Sequence, residues 1–290
     1  MLAREPRVPL PETIDQDARR ALAEDLGNGD LTAALIPQDS RIQAQVITRE
    51  PAILCGILWF NSIFRQLDER IAIAWQAADG DAIAPNQALC HLEGPSRALL
   101  SGERTALNFL QILSGTATLT RGYADALHGT STRLLDTRKT IPGLRAAQKY
   151  AVRCGGGYNH RLGLFDGLLI KENHIMAAGS IESAVKRAKA LYPDRSVEVE
   201  VEDRDQLVQA IEAGAQIVLL DNFTLEHLRE SVTLNQGRVL LEASGGGFDR
   251  ATLGEVAKTG VDYVSVGALT KHVRAIDLSM RFLNNQETFL

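Results

Sequence analysis

Cysteine is scarce in this 290-residue chain: Cys55, Cys90 and Cys154 are odd in number, widely spaced and free of any Cys-x-x-Cys pattern. A disulfide framework is thereby excluded, and no zinc ligand set is offered. Long hydrophobic runs are missing too. The longest, Ala52 to Phe60, is broken by Gly56 and falls well short of the ~20 residues that a membrane span needs. The opening Met1-Leu2-Ala3-Arg4-Glu5-Pro6 never builds the apolar core of a signal peptide, so a soluble, cytoplasmic protein with no membrane partner is expected. There is no excess of basic residues, since the net charge is −5. That argues against a nucleic-acid partner and makes any anionic ligand small. Finally, no Gly-x-Gly-x-x-Gly follows the first candidate strand of the second half, which disfavours a dinucleotide-binding sheet.

What is present is a gathering of cations in an acidic protein. Thr137-Arg138-Lys139-Thr140, Asn159-His160-Arg161 and Lys171-Glu172-Asn173-His174 are short polar segments. The first follows the apolar run Arg133-Leu134-Leu135, and the third follows Gly167-Leu168-Leu169-Ile170. Polar residues at the carboxyl ends of buried strands are where α/β folds place their chemistry.

The organisation supports that placement. After about residue 130, apolar runs at Arg133–Asp136, Gly167–Ile170, Ser196–Val201, Gln216–Leu220, Arg238–Leu241 and Asp262–Val266 alternate with helical stretches. Strand then helix, repeated, predicts a parallel sheet. Polar residues on the same side of every run favour closure toward a barrel over an open sheet. The first ~115 residues differ, with short alternating strands at Arg41–Thr48, Ile71–Trp75 and Ala88–Leu92 between turn signals such as Asp79-Gly80-Asp81. A helix is predicted over Pro11 to Leu26 and a long one over Ser96 to Ser114. Arg104 lies four residues after Leu100 and three before Leu107, on or beside the apolar stripe of that long helix. An arginine there must be paired or must reach an anion.

Acids and glycines mark the remaining strand ends. In Ser196-Val197-Glu198-Val199-Glu200-Val201 the glutamates share one face, with Glu198 the deeper and Glu200 near the strand's end. Asp221 directly follows Ile217-Val218-Leu219-Leu220. Glu200 and Asp221 are candidates for ribose hydroxyls or Mg²⁺, an ion suited to oxygen ligands shared with substrate phosphates. Glu242-Ala243-Ser244-Gly245-Gly246-Gly247 and Ser265-Val266-Gly267-Ala268 follow the last two strands, where barrels frequently bind phosphate on backbone N–H groups. Gly155-Gly156-Gly157, before the His160 segment, would let backbone approach a ligand. A phosphate end, an acidic middle and a cationic end suit a phosphorylated sugar that meets a small polyanion.

Glu103-Arg104-Thr105-Ala106-Leu107-Asn108, Asp136-Thr137-Arg138-Lys139-Thr140, Leu169-Ile170-Lys171-Glu172-Asn173-His174, Leu219-Leu220-Asp221-Asn222-Phe223 and Glu242-Ala243-Ser244-Gly245-Gly246 closely resemble the quinolinate phosphoribosyltransferases, in the family's order over nearly the whole chain. The resemblance implies an α/β fold: an N-terminal α/β sandwich over 1–116, an incomplete six- or seven-stranded α/β barrel over 117–273, and a C-terminal helix over 274–290 that returns to the first domain. It implies transfer of phosphoribose from phosphoribosyl pyrophosphate to quinolinate with Mg²⁺, giving nicotinate mononucleotide, pyrophosphate and CO₂. Arg138, His160, Arg161 and Lys171 would hold the carboxylates, with Lys139 nearby. Glu200 and Asp221 would bind ribose hydroxyls and Mg²⁺. Ser244, Gly245, Gly267 and Ala268 would cradle the 5′-phosphate beside His272. Lys139, Lys171, Glu200 and Asp221 are the expected catalytic set, and a homodimer would supply Arg104 from the partner. The run Gly245-Gly246-Gly247-Phe248 departs from the pattern, which carries a bulkier residue after two glycines.

Three other readings compete. Lys171 could form a Schiff base, as in barrel aldolases. A barrel protein of metal-transport operons would share the fold, but would have lost the Arg-Lys or His-Arg pairs that are present here. A pure binding module leaves the acids and the two phosphate-like loops without a use.

Overall fold

The computed structural model describes residues 11–245 and 247–283; Gly246 and the expected helix beyond residue 283 lie outside these. The chain divides into two compact units. The first comprises residues 11–120, 141–156 and 272–283, and the second residues 121–140 and 157–271.

In the first unit α1 (Pro11–Leu26) stops where Gly27 turns left-handed, at a φ of 50°, and returns its N–H to Ala23 O at 3.2 Å. That is a glycine helix stop. There follow β1 (Arg41–Thr48), β2 (Ala52–Ile53), α2 (Ile57–Leu67), β3 (Ala72–Trp75), β4 (Ala82–Ile83), β5 (Ala88–Pro95) and α3 (Ser96–Asp125). Helix α2 buries Trp59, Phe60, Ile63 and Phe64 against Leu107, Leu110 and Leu113 of α3, which is the helical spacing that the sequence shows. An N-terminal domain of helices and an antiparallel sheet is present, but its bounds differ from the expected 1–116. Helix α3 runs past residue 116, and α4 (Arg145–Cys154) belongs to this unit with Ala147 and Ala151 in its core.

The C-terminal segment corrects an expectation. Residues Leu278–Leu283 form a strand, β12, instead of a helix. It pairs antiparallel with β1, from Thr48↔Leu278 to Gln43↔Leu283. Leu278-Ser279-Met280-Arg281-Phe282 alternates apolar and polar, and that period of two outweighs helix propensity once a sheet edge is available. The four-stranded sheet therefore reads β12-β1-β5-β3.

The second unit is built from β6 (Arg133–Leu135), β7 (Leu168–Ile170), α5 (Glu172–Ala178), α6 (Ile181–Leu191), β8 (Val197–Val201), α7 (Arg204–Glu212), β9 (Ile217–Asp221), α8 (Leu225–Asn235), β10 (Leu240–Ser244), α9 (Leu253–Ala257), β11 (Tyr263–Ser265) and α10 (Ala268–Lys271). Ser180, Asp203 and Thr224 start α6, α7 and α8 by accepting from Ser183, Gln206 and His227 backbone N–H groups. The six strands are parallel in the order β6-β11-β10-β9-β8-β7. This is an incomplete α/β barrel, as expected. Along the free edge of β6, Tyr158 makes a single parallel bridge to Leu135, with Tyr158 N–H to Leu134 O at 2.8 Å and Asp136 N–H to Tyr158 O at 3.0 Å. Among the described residues no helix is long and apolar enough to cross a membrane.

Gly115 of α3 lies against the segment that leads to β12. A Cβ there would collide with the Arg274 carbonyl oxygen, a backbone atom that cannot swing aside. Gly115→Ala is expected to destabilise by roughly 1–3 kcal/mol through overpacking, read as a lowered midpoint in thermal or urea unfolding.

Candidate functional site

All strands of the second unit run the same way, so their carboxyl ends share one edge. Ser244 of β10 is in register with Asp221 of β9 and with Ser265 of β11, and Ser265 with Leu135 of β6. Ile170 of β7 faces Val199 of β8, so the following residues, Lys171 and Glu200, stand level. Their side chains form an ion pair, Lys171 Nζ to Glu200 Oε2. The segments after β6 and β7 and the last residues of β8, β9 and β10 thus converge.

The cationic half centres on Arg138 and Arg161. Both are half-buried, and Arg138 Nε is a buried donor with no acceptor among the described residues. Burial first, and the Arg138 charge second, pull Arg161 below its ordinary range, while Glu198, Asp166 and Glu200 favour its charged form. Two guanidiniums close enough to repel, one with an unused buried N–H, are suited to a multiply charged anion. In the acidic half, burial and then the Glu200 charge raise Asp221, against Lys171 and Lys139. Lys139 is exposed, and its carbonyl accepts from Thr270 Oγ1 at 2.9 Å. A Cβ on Gly267 would come within 2.9 Å of Lys139 Cδ, so glycine there is what lets the lysine stem lie across the end of β11.

At the expected phosphate loops, Asn222 takes a left-handed φ of 58° and sends its N–H to Ser244 O at 2.8 Å. A Cβ on Gly245 would meet Asn222 Oδ1 at 3.3 Å. Ala268 opens α10, a helix of only four residues.

The chain is 49% identical to the nicotinate-nucleotide pyrophosphorylase of Francisella tularensis, whose solved structure superposes with a TM-score of 0.93 over 97% of this chain and 100% of that one. Residues 30–114 match the family description "Quinolinate phosphoribosyl transferase, N-terminal domain", and residues 116–281 match its C-terminal domain. This chain belongs to the quinolinate phosphoribosyltransferase family. Relatives include the probable nicotinate-nucleotide pyrophosphorylase [carboxylating] of Bacillus subtilis, 42% identical over 89% of both chains. The Mycobacterium leprae protein of that activity is 41% identical over 90% of this chain and 94% of its own length.

Within this family member, the barrel unit collects Arg138, Lys139, His160, Arg161, Lys171, Glu200, Asp221, Ser244, Gly245, Gly267 and Ala268. Arg104 and His272 belong to the other unit. Arg104 is exposed on α3, beside the apolar stripe, the second of the two placements that its spacing allowed. Its neighbours Thr105, Ala106 and Leu107 take up the buried arc. Gly155 caps α4 and abuts Thr120 of α3, while Gly156, with a φ of 91°, makes the turn. Helix termination and close packing account for that pair of glycines. His174 caps α5 by accepting the Lys171 N–H on Nδ1 at 3.0 Å.

His160 is not a free cation. It is buried, with Nδ1 accepting the Arg161 N–H at 2.7 Å and Nε2 facing Glu198 at 3.2 Å and Glu242 at 3.5 Å. Sequence reasoning left Glu242 and Asp136 without a role. Asp136, fully buried, accepts from Asn159 Nδ2 at 2.6 Å and from His160 N–H at 2.9 Å. The available signal was an acid within or directly after an apolar run, in Leu134-Leu135-Asp136 and Leu240-Leu241-Glu242.

Burial, and next the Glu198 charge, raise the Glu242 carboxyl to about 8, outweighing the His160 ring and the Ser265 hydroxyl. Across the window from the ordinary carboxyl range up to that value, the folded chain keeps a proton that the unfolded chain has lost. Stability is therefore greatest at the acid end of the window and falls as pH rises through it. Unfolding midpoints measured from pH 5 to 8 should decline for this reason, and Glu242→Gln should flatten the decline.

Proposed function

We infer that the protein transfers the 5-phosphoribosyl group from phosphoribosyl pyrophosphate to quinolinate with loss of CO₂, giving nicotinate mononucleotide and pyrophosphate in de novo NAD biosynthesis. The observation that carries this reading is the paired surplus of like charge at one strand edge. The Arg138 charge opposes that of Arg161 with the Arg138 Nε donor unspent among the described residues, and the Glu200 charge likewise opposes that of Asp221. A dicarboxylate relieves the first pair, and a cation with ribose hydroxyls relieves the second.

Arg138, Arg161 and Lys171 bind the two carboxylates, and Lys139 lies toward the pyrophosphate. Ser244, Gly245, Gly267 and Ala268 approach the 5′-phosphate through backbone. Glu200 and Asp221 fit Mg²⁺, because the Glu200 charge raises the cost of charging Asp221 and an oxygen-ligated cation removes that cost. When bound, Mg²⁺ supplies charge neutralisation on the leaving pyrophosphate. The acids stabilise the positive character that develops at the ribose carbon as the C–O bond breaks. The cations hold the pyridine so that its nitrogen lone pair meets that carbon. The pyridinium nitrogen then accepts charge as the adjacent carboxylate leaves as CO₂, and the ring carbon takes up a proton. No side chain acts as a covalent nucleophile. Lys171 is ion-paired with Glu200, an arrangement that a Schiff base, which needs a free amine, would have to give up. The protein acts in the cytoplasm.

Pyrophosphate release from phosphoribosyl pyrophosphate and Mg²⁺ is expected only when quinolinate is added, with matching nicotinate mononucleotide, and nicotinate is expected to be a poor substitute. Release that nicotinate supports equally would refute the two-carboxylate reading. Arg138→Ala should raise the quinolinate KM by roughly 30-fold or more, about 2 kcal/mol for a buried charge-assisted contact, measured in steady state at saturating phosphoribosyl pyrophosphate.

The active unit is a homodimer in which Arg104 enters the partner's site, and the exposure of Arg104 supports that assignment. Arg104→Ala and Lys171→Ala should each be inactive alone. Mixed and allowed to exchange subunits, they should regain about a quarter of wild-type activity, since half the dimers then hold one intact site of two. No recovery, with exchange verified by mass, would sink the shared site.

A further inference from the structure

Both nitrogens of His160 are engaged inside the protein, which leaves its ring no N–H for substrate. With Nδ1 accepting the Arg161 main-chain N–H at 2.7 Å, the neutral ring carries its proton on Nε2. That proton faces two carboxyl groups, Glu198 Oε2 at 3.2 Å and Glu242 Oε2 at 3.5 Å, whose side chains are 5% and 0% exposed. One N–H cannot serve two carboxylates. Among the described residues Glu198 Oε1 finds no hydrogen-bond partner, and Glu242 is the more deeply buried of the two acids. Two buried acids and an imidazole are a costly filling for a barrel interior, where well-packed apolar residues would serve stability as well or better. Their value must lie in what they hold.

What they hold is the segment carrying Arg161. That segment touches the sheet through one bridge, at Tyr158. Beyond it, Asp136 fixes Asn159 and the His160 backbone, and only the ring's Nδ1 reaches the Arg161 N–H. The Arg161 guanidinium is steadied further by the Gly167 carbonyl at 3.3 Å. We propose that Glu198 and Glu242 are positioning residues for quinolinate: they lock the His160 ring, the ring locks the Arg161 main chain, and the guanidinium is thereby aimed at the acceptor's carboxylates. The assignment rests on the role given to Arg161 above.

The test compares Glu242→Gln, which keeps shape and hydrogen bonding, with Glu242→Leu, which keeps volume alone, in wild-type and Arg161→Ala backgrounds. For Gln, both substrate KM values should stay within about twofold of wild type; for Leu, the quinolinate KM should rise about tenfold or more while that for phosphoribosyl pyrophosphate stays within about twofold. In the Arg161→Ala background the leucine effect should vanish, because the group being positioned is gone. A general structural defect would move both KM values and would persist in that background. If the leucine variant does not fold, Glu242→Asp, which withdraws the carboxyl by one methylene, is expected to raise the quinolinate KM selectively. The proposal is overturned by an unchanged quinolinate KM in folded Leu or Asp variants, or by a leucine effect that survives without Arg161. Stoichiometric divalent metal in the purified protein that Glu242→Gln removes would also overturn it, making the cluster a metal site. Should the wild type itself fail to consume quinolinate, the functional assignment fails first, which separates the two.

Discussion

The free edge of β6 is the constraint on which the site depends. A six-stranded parallel sheet that does not close leaves two edges, and the backbone groups along them need partners or water. Here one edge is met by a short non-strand segment that bridges at Tyr158 and then turns inward. Because a single bridge fixes little, side chains do the rest. Asp136, at the end of β6, receives the next two residues of that segment, and His160 plugs into the acids of β8 and β10. The gap in the barrel becomes the place where a guanidinium can be presented at the strand ends. A seventh regular strand there would have spent its backbone on the ladder and alternated its side chains, separating His160 and Arg161 to opposite faces.

Like charges are held together at this edge without full compensation, and that is a cost in the free protein. Arg161 beside Arg138 and Asp221 beside Glu200 each shift in the direction that disfavours the charged form. Such arrangements raise the energy of the empty site and lower it when a complementary ion arrives, so part of the affinity is stored in the fold. The buried acids Glu198 and Glu242 follow the opposite logic. They are buried within β8 and β10, where burial and the Glu198 charge favour the protonated form of Glu242.

The barrel was legible because parallel strands buried on both faces read as continuous apolar runs, and chemistry at their ends reads as a break in that run. Lys171, Asp221 and Ser244 stood out this way, whereas Glu200 stood out through the alternation of valine and glutamate along its strand. The C-terminal strand was misread for a reason equally physical: a terminal segment takes the structure of the edge it meets, and nothing local to residues 274–290 announces that β1 has an edge to offer. The spacing of Arg104 allowed a place on or beside an apolar stripe, and the stripe of α3 is narrow enough at that turn to leave it outside. The role of Glu242 was invisible because an acid in an apolar strand has meaning only through residues 82 and 44 positions away in sequence, His160 and Glu198, which the sheet brings to it.

The Lys171–Glu200 pair joins the two halves of the site. Lys171 stands at the end of β7 and Glu200 near the end of β8, level in register and in contact. One partner belongs to the cationic half and the other to the acidic half, and Glu200 also raises Asp221 while Lys171 lowers it. A ligand that engages either member weakens its hold on the other, since an ion pair between partly exposed groups is worth little once a better-placed counter-charge is available. The half of the site that reads carboxylates and the half that reads ribose and metal are therefore electrostatically one system. The register of two adjacent strands, set by the apolar residues beneath, is what makes them so.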